Sequence, residues 1–336
     1  MSAKWYLGTG AQNDVVISTS IHLARNVQQF PFTNMLSLQD KLKVNAFIKN
    51  AAETLDDYSF KYYEMKTLSQ SEVVALAERH LVSPEFASSR DGRALLLTED
   101  ESVSIMLNEE DHIRLQVMYA GFALDEAFNT ANNLDNRLST KLGFAFDERL
   151  GYLTQNPNNL GTAMNASVVL HLPGLVSTSQ ITKLITTVSK LGLSLHGSYG
   201  EGAKANGDLF RLSNTITLGI SAKSAIENLK SIALQIAAQE RTARDIIFNS
   251  VETEDKIFRA FGTLKYARLI DTNEFMNLIS LVRLGAVSKM LNVDVNKIEE
   301  LMIHMQPATI SLTVDRPLDK TERDKLRAEI VRRSIS

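Results

Sequence analysis

Four short segments contain side chains that could carry out chemistry, and the first is NEEDHIR, from Asn108 to Arg114. It holds three successive acidic residues: Glu109, Glu110 and Asp111. Carboxylates suit the start of a helix, so the pattern predicts that His112 and Arg114 begin one. The segment is either a solvated acidic cap or a group of carboxylates that face a cationic substrate.

Two loops in the middle of the chain are further candidates. QNPNNLGT, from Gln155 to Thr162, is rich in turn-forming residues and is typical of a hairpin connection. HGSYGEGAKANGDLF, from His196 to Phe210, places four glycines around Glu201. So many glycines favour a mobile loop, which is either a surface hairpin or a loop that closes over a substrate.

The fourth segment is RDKLRA, near the C-terminal end of the sequence. Arg323 and Arg327 are four residues apart, so on a helix they share a face and could offer two guanidinium groups to one anion. A basic, solvated helix end would have the same sequence.

A strand-like stretch near the N-terminus, VVISTSIHLARNVQQFPF, poses a similar choice. It begins with apolar residues, continues with alternating small polar ones and stops at Phe-Pro-Phe. Its polar positions are Ser18, Ser20, His22 and Arg25. They form either a ligand-binding face or the solvent side of a strand.

The elements that must position these groups fall into two regions. Between Val15 and Gly219, short strand-like runs alternate with helical segments, which predicts an α+β fold. After Ser221 the pattern becomes almost continuous amphipathic helix. We therefore expect a first domain over residues 15–240 and a helical domain, suited to dimerisation, over residues 241–336.

Several individual elements can be predicted in the first region. RALLLTEDESVSIMLNEED indicates two strands around a turn from Thr98 to Glu101, and NASVVLHLPGL indicates a strand that stops at Pro173. HIRLQVMYAGFALDEAFNTANNLDNRLSTKL has apolar residues at helical spacing. STSQITKLITTVSKLGLSL has the same spacing, and Ser177 or Ser179 is its predicted N-cap.

Composition narrows the classes of protein. The 336 residues include 36 basic and 39 acidic side chains, a net charge of −3, so no global field favours nucleic acid or an acidic membrane. The absence of cysteine excludes disulfides, thiolate metal sites and cysteine nucleophiles. No metal site is predicted. We find no signal-like or membrane-spanning segment and expect a cytoplasmic protein.

The candidate segments occur in an order that resembles a known family. STSIHLARN, FPF, NEEDHIR, LGYLTQNPNNLGT, ASVVLHLPGL, YGEG and LSNTITLG resemble the guanidino phosphotransferases, the superfamily of arginine and creatine kinases. RDKLRA and the helical tail narrow the resemblance to bacterial protein-arginine kinases, over nearly the whole chain. The resemblance implies the phosphagen kinase catalytic-domain fold, a large antiparallel sheet flanked by helices, followed by an all-helical C-terminal domain.

The same resemblance implies an activity and its residues. The reaction would move the ATP γ-phosphoryl group, with Mg²⁺, to an arginine guanidinium that is normally on a protein. Glu110 and Glu201 match the family carboxylates that hold and deprotonate the guanidinium. Arg114 matches an arginine that binds the ATP phosphates, and His80 matches a histidine of the nucleotide site.

For the C-terminal region the resemblance implies further binding functions. Arg323, Asp324 and Arg327 match a separate pocket for phosphoarginine. A homodimer, a Clp-type ATPase of a protease and a zinc-finger activator are the implied partners, beside protein substrates that carry arginine or phosphoarginine.

The sequence departs from the family at the nucleotide site. Ser18 lies in the strand motif that borders the nucleotide, but four family arginines are replaced: the residues here are Ser20, His22, Asn165 and His196. Asn156 also replaces a loop cysteine, and Ala163 replaces a loop glycine. Of the phosphate-binding arginines of the family, Arg114 alone is retained.

This loss predicts weak or absent ATP binding, because an arginine that stabilises phosphoryl transfer contributes roughly 10³ to 10⁵ in rate. One hypothesis is a pseudokinase that binds arginine or phosphoarginine on proteins as an adaptor. Another is an active protein-arginine kinase with a rearranged phosphate site. A third is an enzyme that acts on a different guanidino compound. Retention of both glutamates favours guanidinium binding in all three.

Overall fold

The computed structural model describes residues 4–198, 205–314 and 316–335. Within these residues the chain forms ten strands: β1 (Val16–Arg25), β2 (Phe60–Glu64), β3 (Ala94–Thr98), β4 (Val103–Leu107), β5 (Ile113–Ala120), β6 (Phe146–Asp147), β7 (Gly151–Tyr152), β8 (Met164–His171), β9 (Leu193–Gly197) and β10 (Leu209–Asn214).

The α-helices of the same described residues flank and follow the strands. They are α1 (Leu38–Ala52), α2 (Gln70–Glu78), α3 (Pro84–Ser88), α4 (Leu124–Leu142), α5 (Pro173–Ser177), α6 (Ile181–Ser189), α7 (Ala222–Ile247), α8 (Val251–Tyr266), α9 (Thr272–Val287), α10 (Val295–His304), α11 (Pro307–Ser311) and α12 (Lys320–Ser334). None of these helices is long and apolar enough to cross a membrane.

Eight of the described strands form one antiparallel sheet in the order β2-β3-β4-β5-β1-β8-β10-β9. Successive side chains of a strand point to opposite faces. On β1, Ile21 and Leu23 join the main core, which also contains Leu134 of α4 and Leu229 of α7. The opposite face carries polar residues, which we call the cleft face. The predicted α+β fold with a large antiparallel sheet is confirmed.

Most of the predicted elements are present. The strand at the N-terminal stretch, the two strands around the turn that follows Thr98, and the strand that stops before Pro173 are β1, β3, β4 and β8. The helix after Ser221 is α7, and the Ser221 hydroxyl accepts a hydrogen bond from the Ser224 amide at its N-terminus.

The predicted helix at His112 and Arg114 is wrong, because Ile113–Ala120 is strand β5 and the helix α4 begins only at Leu124. Ile113, Leu115 and Val117 are buried in the core, whereas Arg114 and Gln116 alternate with them on the cleft face. This period of two identifies a strand, and the helical spacing belongs to the later part of the segment.

The predicted serine caps are also wrong. Ser177 is the last residue of α5, and α6 begins at Ile181 after Gln180, which provides no side-chain cap. Ser179 lies between the two helices with a φ of 58°, in a left-handed turn. The apolar pattern did not reveal that Pro173 starts a short extra helix.

Helices α8 to α12 surround a second core. Ile257, Phe275, Ile279 and Val331 are fully buried in it. The predicted boundary near residue 240 falls inside α7, which is continuous from Ala222 to Ile247, and the division into two domains stays a prediction.

Candidate functional site

The cleft face of the sheet and the segment from α2 to α3 enclose a cleft. One part has a volume of about 580 Å³ and a second, beside the β4–β5 turn, about 430 Å³. The residues that line both parts are His22, Arg114, Asn165, His196 and Arg211. The structure therefore brings these five residues together although His22 and Arg211 are 189 positions apart in the chain.

The β4–β5 turn forms an acidic end of the cleft, and its three carboxylates have different environments. Glu109 is buried, accepts a hydrogen bond from the Ser83 hydroxyl and pairs with Arg114 at 3.1 Å. Asp111 is buried and accepts hydrogen bonds from the Asn26 side chain at 2.6 Å and the Gln155 amide at 2.8 Å. Both of these carboxylates hold the turn in place.

Glu110 is the exposed carboxylate of the turn and lines the smaller part of the cleft. Partial burial, followed by the charge of Asp111, raises the pKa of the Glu110 carboxyl, and a hydrogen bond with Asn156 opposes this shift. A carboxylate in this position can accept hydrogen bonds from a guanidinium that enters the cleft. Its predicted companion, Glu201, lies outside the described residues.

Neutral side chains occupy the cleft face of β1 and the neighbouring position on β8, beside this acidic end. The Ser20 and Ser167 hydroxyls share a hydrogen bond of 2.8 Å. Burial, followed by the charges of Arg114 and Arg211, lowers the pKa of His22 well below its ordinary value. The His22 imidazole is therefore neutral near pH 7, and its Nδ1 has no hydrogen-bond partner within the described chain.

Two further predicted phosphate positions lie at the edge of the cleft and are exposed. Asn165 donates a hydrogen bond from its side chain to the Asn214 carbonyl at 3.2 Å. The ring of His196 contacts the Gly197 carbonyl, with Nδ1 and the oxygen 3.1 Å apart. Ser18 is buried and lines a small neighbouring cavity beside Trp5 and Tyr6, so the cleft does not include it.

His80 follows α2 and lines the larger part of the cleft. The Gln116 side chain donates a hydrogen bond to the His80 carbonyl at 2.6 Å, which ties this loop to β5. Burial, with a contribution from the charge of Arg211, lowers the pKa of His80 to about 3. A neutral ring at this wall suits contact with an uncharged part of a nucleotide better than contact with a phosphate.

The helical region closes one end of the cleft. Glu78, at the end of α2, accepts hydrogen bonds from the Ala308 and Thr309 amides at 2.9 and 2.7 Å, at the start of α11. Gln306 precedes that helix and lines the cleft. The position of α2, and with it that of His80, thus depends on the C-terminal region.

Arg211 on β10 is a cleft residue that sequence reasoning missed. Its NH1 donates a hydrogen bond to the Ser167 hydroxyl at 2.9 Å, and its backbone pairs with His196 on β9. The signal was present in LFRLSN, because Phe210 and Leu212 alternate into the core and leave Arg211 on the opposite face. No family motif marked this position.

Arg25, although it belongs to the same strand motif, lies on the core face. Its guanidinium pairs with the buried Asp135 of α4 at 2.9 Å and lies over the Tyr152 ring, with its central carbon 3.5 Å from the ring centroid. These contacts join α4 and the β6–β7 hairpin to the sheet. The N-terminal stretch therefore faces the cleft on one side only.

The two arginines of RDKLRA have different environments on α12. Arg327 is 1% exposed and donates hydrogen bonds to the Met305 and Ile270 carbonyls at 2.9 and 2.7 Å and to Asp324 at 2.7 Å. Arg323 is half-buried and donates to the Leu318 carbonyl at 3.0 Å. Their joint binding of one anion stays a prediction.

Comparison with known proteins places these features in a family. Residues 43–243 match the ATP:guanido phosphotransferase C-terminal catalytic domain, and residues 250–336 match the protein-arginine kinase McsB C-terminal domain. The protein-arginine kinase of Caldanaerobacter subterraneus subsp. tengcongensis is 41% identical over 95% of this chain and 96% of its own. That of Bacillus cereus (strain G9842) is 40% identical over 99% of this chain and 96% of its own.

Solved structures with the same fold include phosphagen kinases. Lombricine kinase superimposes with a TM-score of 0.61 at 22% identity, over 71% of each chain. The duplicated taurocyamine kinase from Schistosoma mansoni, with bound transition state analog components, superimposes with a TM-score of 0.61 at 26% identity, over 71% of this chain and 34% of its own.

Proposed function

Because this chain belongs to the protein-arginine kinase family of ATP:guanido phosphotransferases, we propose that it binds arginine or phosphoarginine on proteins and transfers phosphoryl groups poorly. The observation that carries this proposal is the lack of positive charge at two β1 positions on the cleft face. Ser20 and His22 contribute no positive charge there, since one is a buried hydroxyl and the other a neutral imidazole.

The chemistry of phosphoryl transfer explains why this matters. The reaction depends on positive groups that are already in place around the triphosphate and the transferring phosphoryl group. A neutral imidazole lacks both the charge and the two-pronged donor geometry of an arginine. Arg114 is retained, but it pairs with Glu109 at 3.1 Å, which balances part of its charge. We therefore expect weak binding of ATP and very slow transfer.

The acidic end of the cleft supports the proposal that the chain binds arginine. Glu110 is exposed to the cleft and Asn156 hydrogen-bonds to it, so an arginine side chain would meet a carboxylate held in position. Glu201, the family's other guanidinium-binding carboxylate, would complete this end.

An active form would use ATP with Mg²⁺. Because the described residues contain no cluster of three or more metal-ligating side chains, we expect phosphate oxygens to hold the ion.

The decisive experiment measures transfer directly. The full chain is incubated with γ-labelled Mg-ATP and an arginine-rich protein, and acid-labile label is counted. We expect no label above that of a Glu110→Ala control. Label that accumulates at the rate of an active protein-arginine kinase, and disappears in Glu110→Ala, would contradict the proposal. Micromolar affinity for Mg-ATP in calorimetry would also count against it.

We propose further that the C-terminal region binds phosphoarginine near Arg323, Asp324 and Arg327, and that the protein acts as a cytoplasmic homodimer with a Clp-type ATPase and a zinc-finger activator. Arg327→Ala is a poor test because this buried side chain supports the fold. Arg323→Ala should weaken phosphoarginine binding about tenfold, whereas the matched control Lys325→Ala, on the exposed side of α12, should not. Equal affinities would refute the assignment.

A second candidate, an active kinase with a rearranged phosphate site, is favoured by one observation. Arg211 adds a positive charge to the cleft from a position outside the family motifs. The label assay separates the two candidates, because only the second predicts acid-labile label.

A further inference from the structure

Arg211 lies at the centre of the positions where family arginines are replaced. Its NH1 is 2.9 Å from the Ser167 hydroxyl, which is in turn 2.8 Å from the Ser20 hydroxyl. Ser20 and Ser167 are cross-strand partners on β1 and β8. The Ser167 hydroxyl therefore links the Arg211 guanidinium to Ser20 on β1, a position where a family arginine is replaced.

The charge of Arg211 also reaches the two half-buried histidines of the cleft. It contributes to the lowered pKa of His22, after burial and the charge of Arg114, and to the lowered pKa of His80, after burial. All three side chains line the same part of the cleft.

The strand register connects Arg211 to one more replaced position. Arg211 is paired with His196 across β10 and β9. Directly opposed residues of antiparallel strands have Cβ atoms about 4.5–5.5 Å apart on the same face. An arginine at position 211 can thus reach the volume that an arginine at position 196 would fill.

We propose that Arg211 is a relocated phosphate-binding arginine, which with Arg114 holds the phosphate groups of a nucleotide in the cleft. The identification of the cleft as a nucleotide site rests on the proposed function. The location of the arginine rests on the Ser20–Ser167–Arg211 contacts and on the strand register. A guanidinium there offers two parallel donors to phosphate oxygens, which neither histidine nor asparagine can do.

The test compares binding of Mg-ADP by ligand-observed NMR titration, which suits weak affinities. Arg211→Gln should weaken binding about 10- to 100-fold, the range for a lost charge-assisted hydrogen bond. Arg259→Gln, which removes an exposed arginine of α8, is the matched control and should bind as the unmodified chain does. Circular dichroism and urea unfolding of each variant report on folding.

A rescue variant separates phosphate binding from a structural role. Adding His196→Arg to Arg211→Gln places an arginine on the opposed position, and binding should return to within a few-fold of the unmodified chain. The proposal is overturned if Arg211→Gln binds Mg-ADP normally, if His196→Arg restores nothing in a folded protein, or if the unmodified chain shows no Mg-ADP binding at millimolar concentration. None of these results depends on transfer, so the label assay tests the proposed function separately.

Discussion

The cleft uses arginine in the opposite way from the junction, our name for the contacts among Arg283 of α9, Glu299 of α10 and Asp14 before β1. At the junction, Arg283 is 0% exposed, pairs with the buried Glu299 at 2.7 Å and donates to the Asp14 carbonyl at 3.1 Å. In the cleft, Arg114 pairs with Glu109 at 3.1 Å and keeps 36% of its side chain exposed. An arginine saturated by buried partners stabilises the fold, whereas a partly exposed one can bind a ligand.

The largest effect should come from removing the buried ion pair between Arg283 and Glu299. Arg283→Met leaves Glu299 buried without its partner, and we expect the free energy of unfolding to fall by about 3–5 kcal/mol. Urea unfolding followed by circular dichroism measures this loss. Arg259→Met, which removes an exposed arginine, should change it by less than about 0.5 kcal/mol. A small loss for Arg283→Met would show that the buried pair contributes little to this fold.

Placing arginines at two replaced positions of the cleft should strengthen its binding of Mg-ATP. Asn165 and His196 are exposed at the cleft edge, so Asn165→Arg combined with His196→Arg displaces no buried side chain. We expect affinity for Mg-ATP to rise about 10- to 100-fold, since each guanidinium adds charge-assisted hydrogen bonds.

The control for this gain adds charge elsewhere. Asn129→Arg places an arginine on the exposed face of α4, on the other side of the sheet, and should leave the affinity unchanged. If Asn129→Arg gives the same gain, general electrostatic attraction explains the result and the cleft positions are not phosphate sites.

The acidic end of the cleft should show a pH dependence. A guanidinium needs the ionised Glu110, and the raised pKa of this carboxyl means that protonation begins at a higher pH than in an ordinary glutamate. Affinity for an arginine-containing peptide, measured by fluorescence anisotropy, should be highest near pH 8, where Glu110 is ionised. It should fall as the pH drops through the raised pKa of Glu110.

Two variants test this assignment. Glu110→Gln should bind the peptide about tenfold more weakly at pH 8 and lose most of the pH dependence. The exposed Glu53→Gln should behave as the unmodified chain. A pH profile that is unchanged in Glu110→Gln would assign the dependence to another group.

The smallest effect concerns the carboxyl of Asp208, the residue before β10. Burial, followed by the charge of Glu240, raises the pKa of Asp208 to about 6. The folded state then binds a proton that the unfolded state has released, so this group lowers stability as the pH rises from about 4 to about 6.

Asp208→Asn removes this charge, and asparagine tolerates the φ of 54° at this position. We expect the free energy of unfolding to rise by about 1–2 kcal/mol at pH 7 and not at pH 4. Urea unfolding at both pH values measures the difference, with the exposed Asp56→Asn as control. An equal gain at both pH values would point to a cause other than ionisation.

Much of the fold could be predicted from local patterns. The two-residue alternation of β1 and the turn between β3 and β4 are visible in the chain itself. The error at His112 arose because a strand and a helix follow each other closely, so one spacing was extended over both. Short α5 was missed because five residues give no period to read.

The candidate site was predictable where a motif carries its own chemistry. Glu110, Arg114 and the replaced arginines were identified because the family motifs name their positions. Arg211 was missed because its importance depends on Ser20 and Ser167, which lie on two other strands. Arg327 shows the converse, since a motif arginine proves to be buried among carbonyl groups.

The sequence by itself determined the family, the antiparallel sheet and the replacement of arginine at four motif positions, because motif order, strand alternation and residue identity are local properties. Only the tertiary structure decided which arginines are structural and which face the cleft. That distinction depends on strand pairing, which brings Ser20 and Arg211 together, and on burial, which occupies Arg283 and Arg327 with partners distant in the chain.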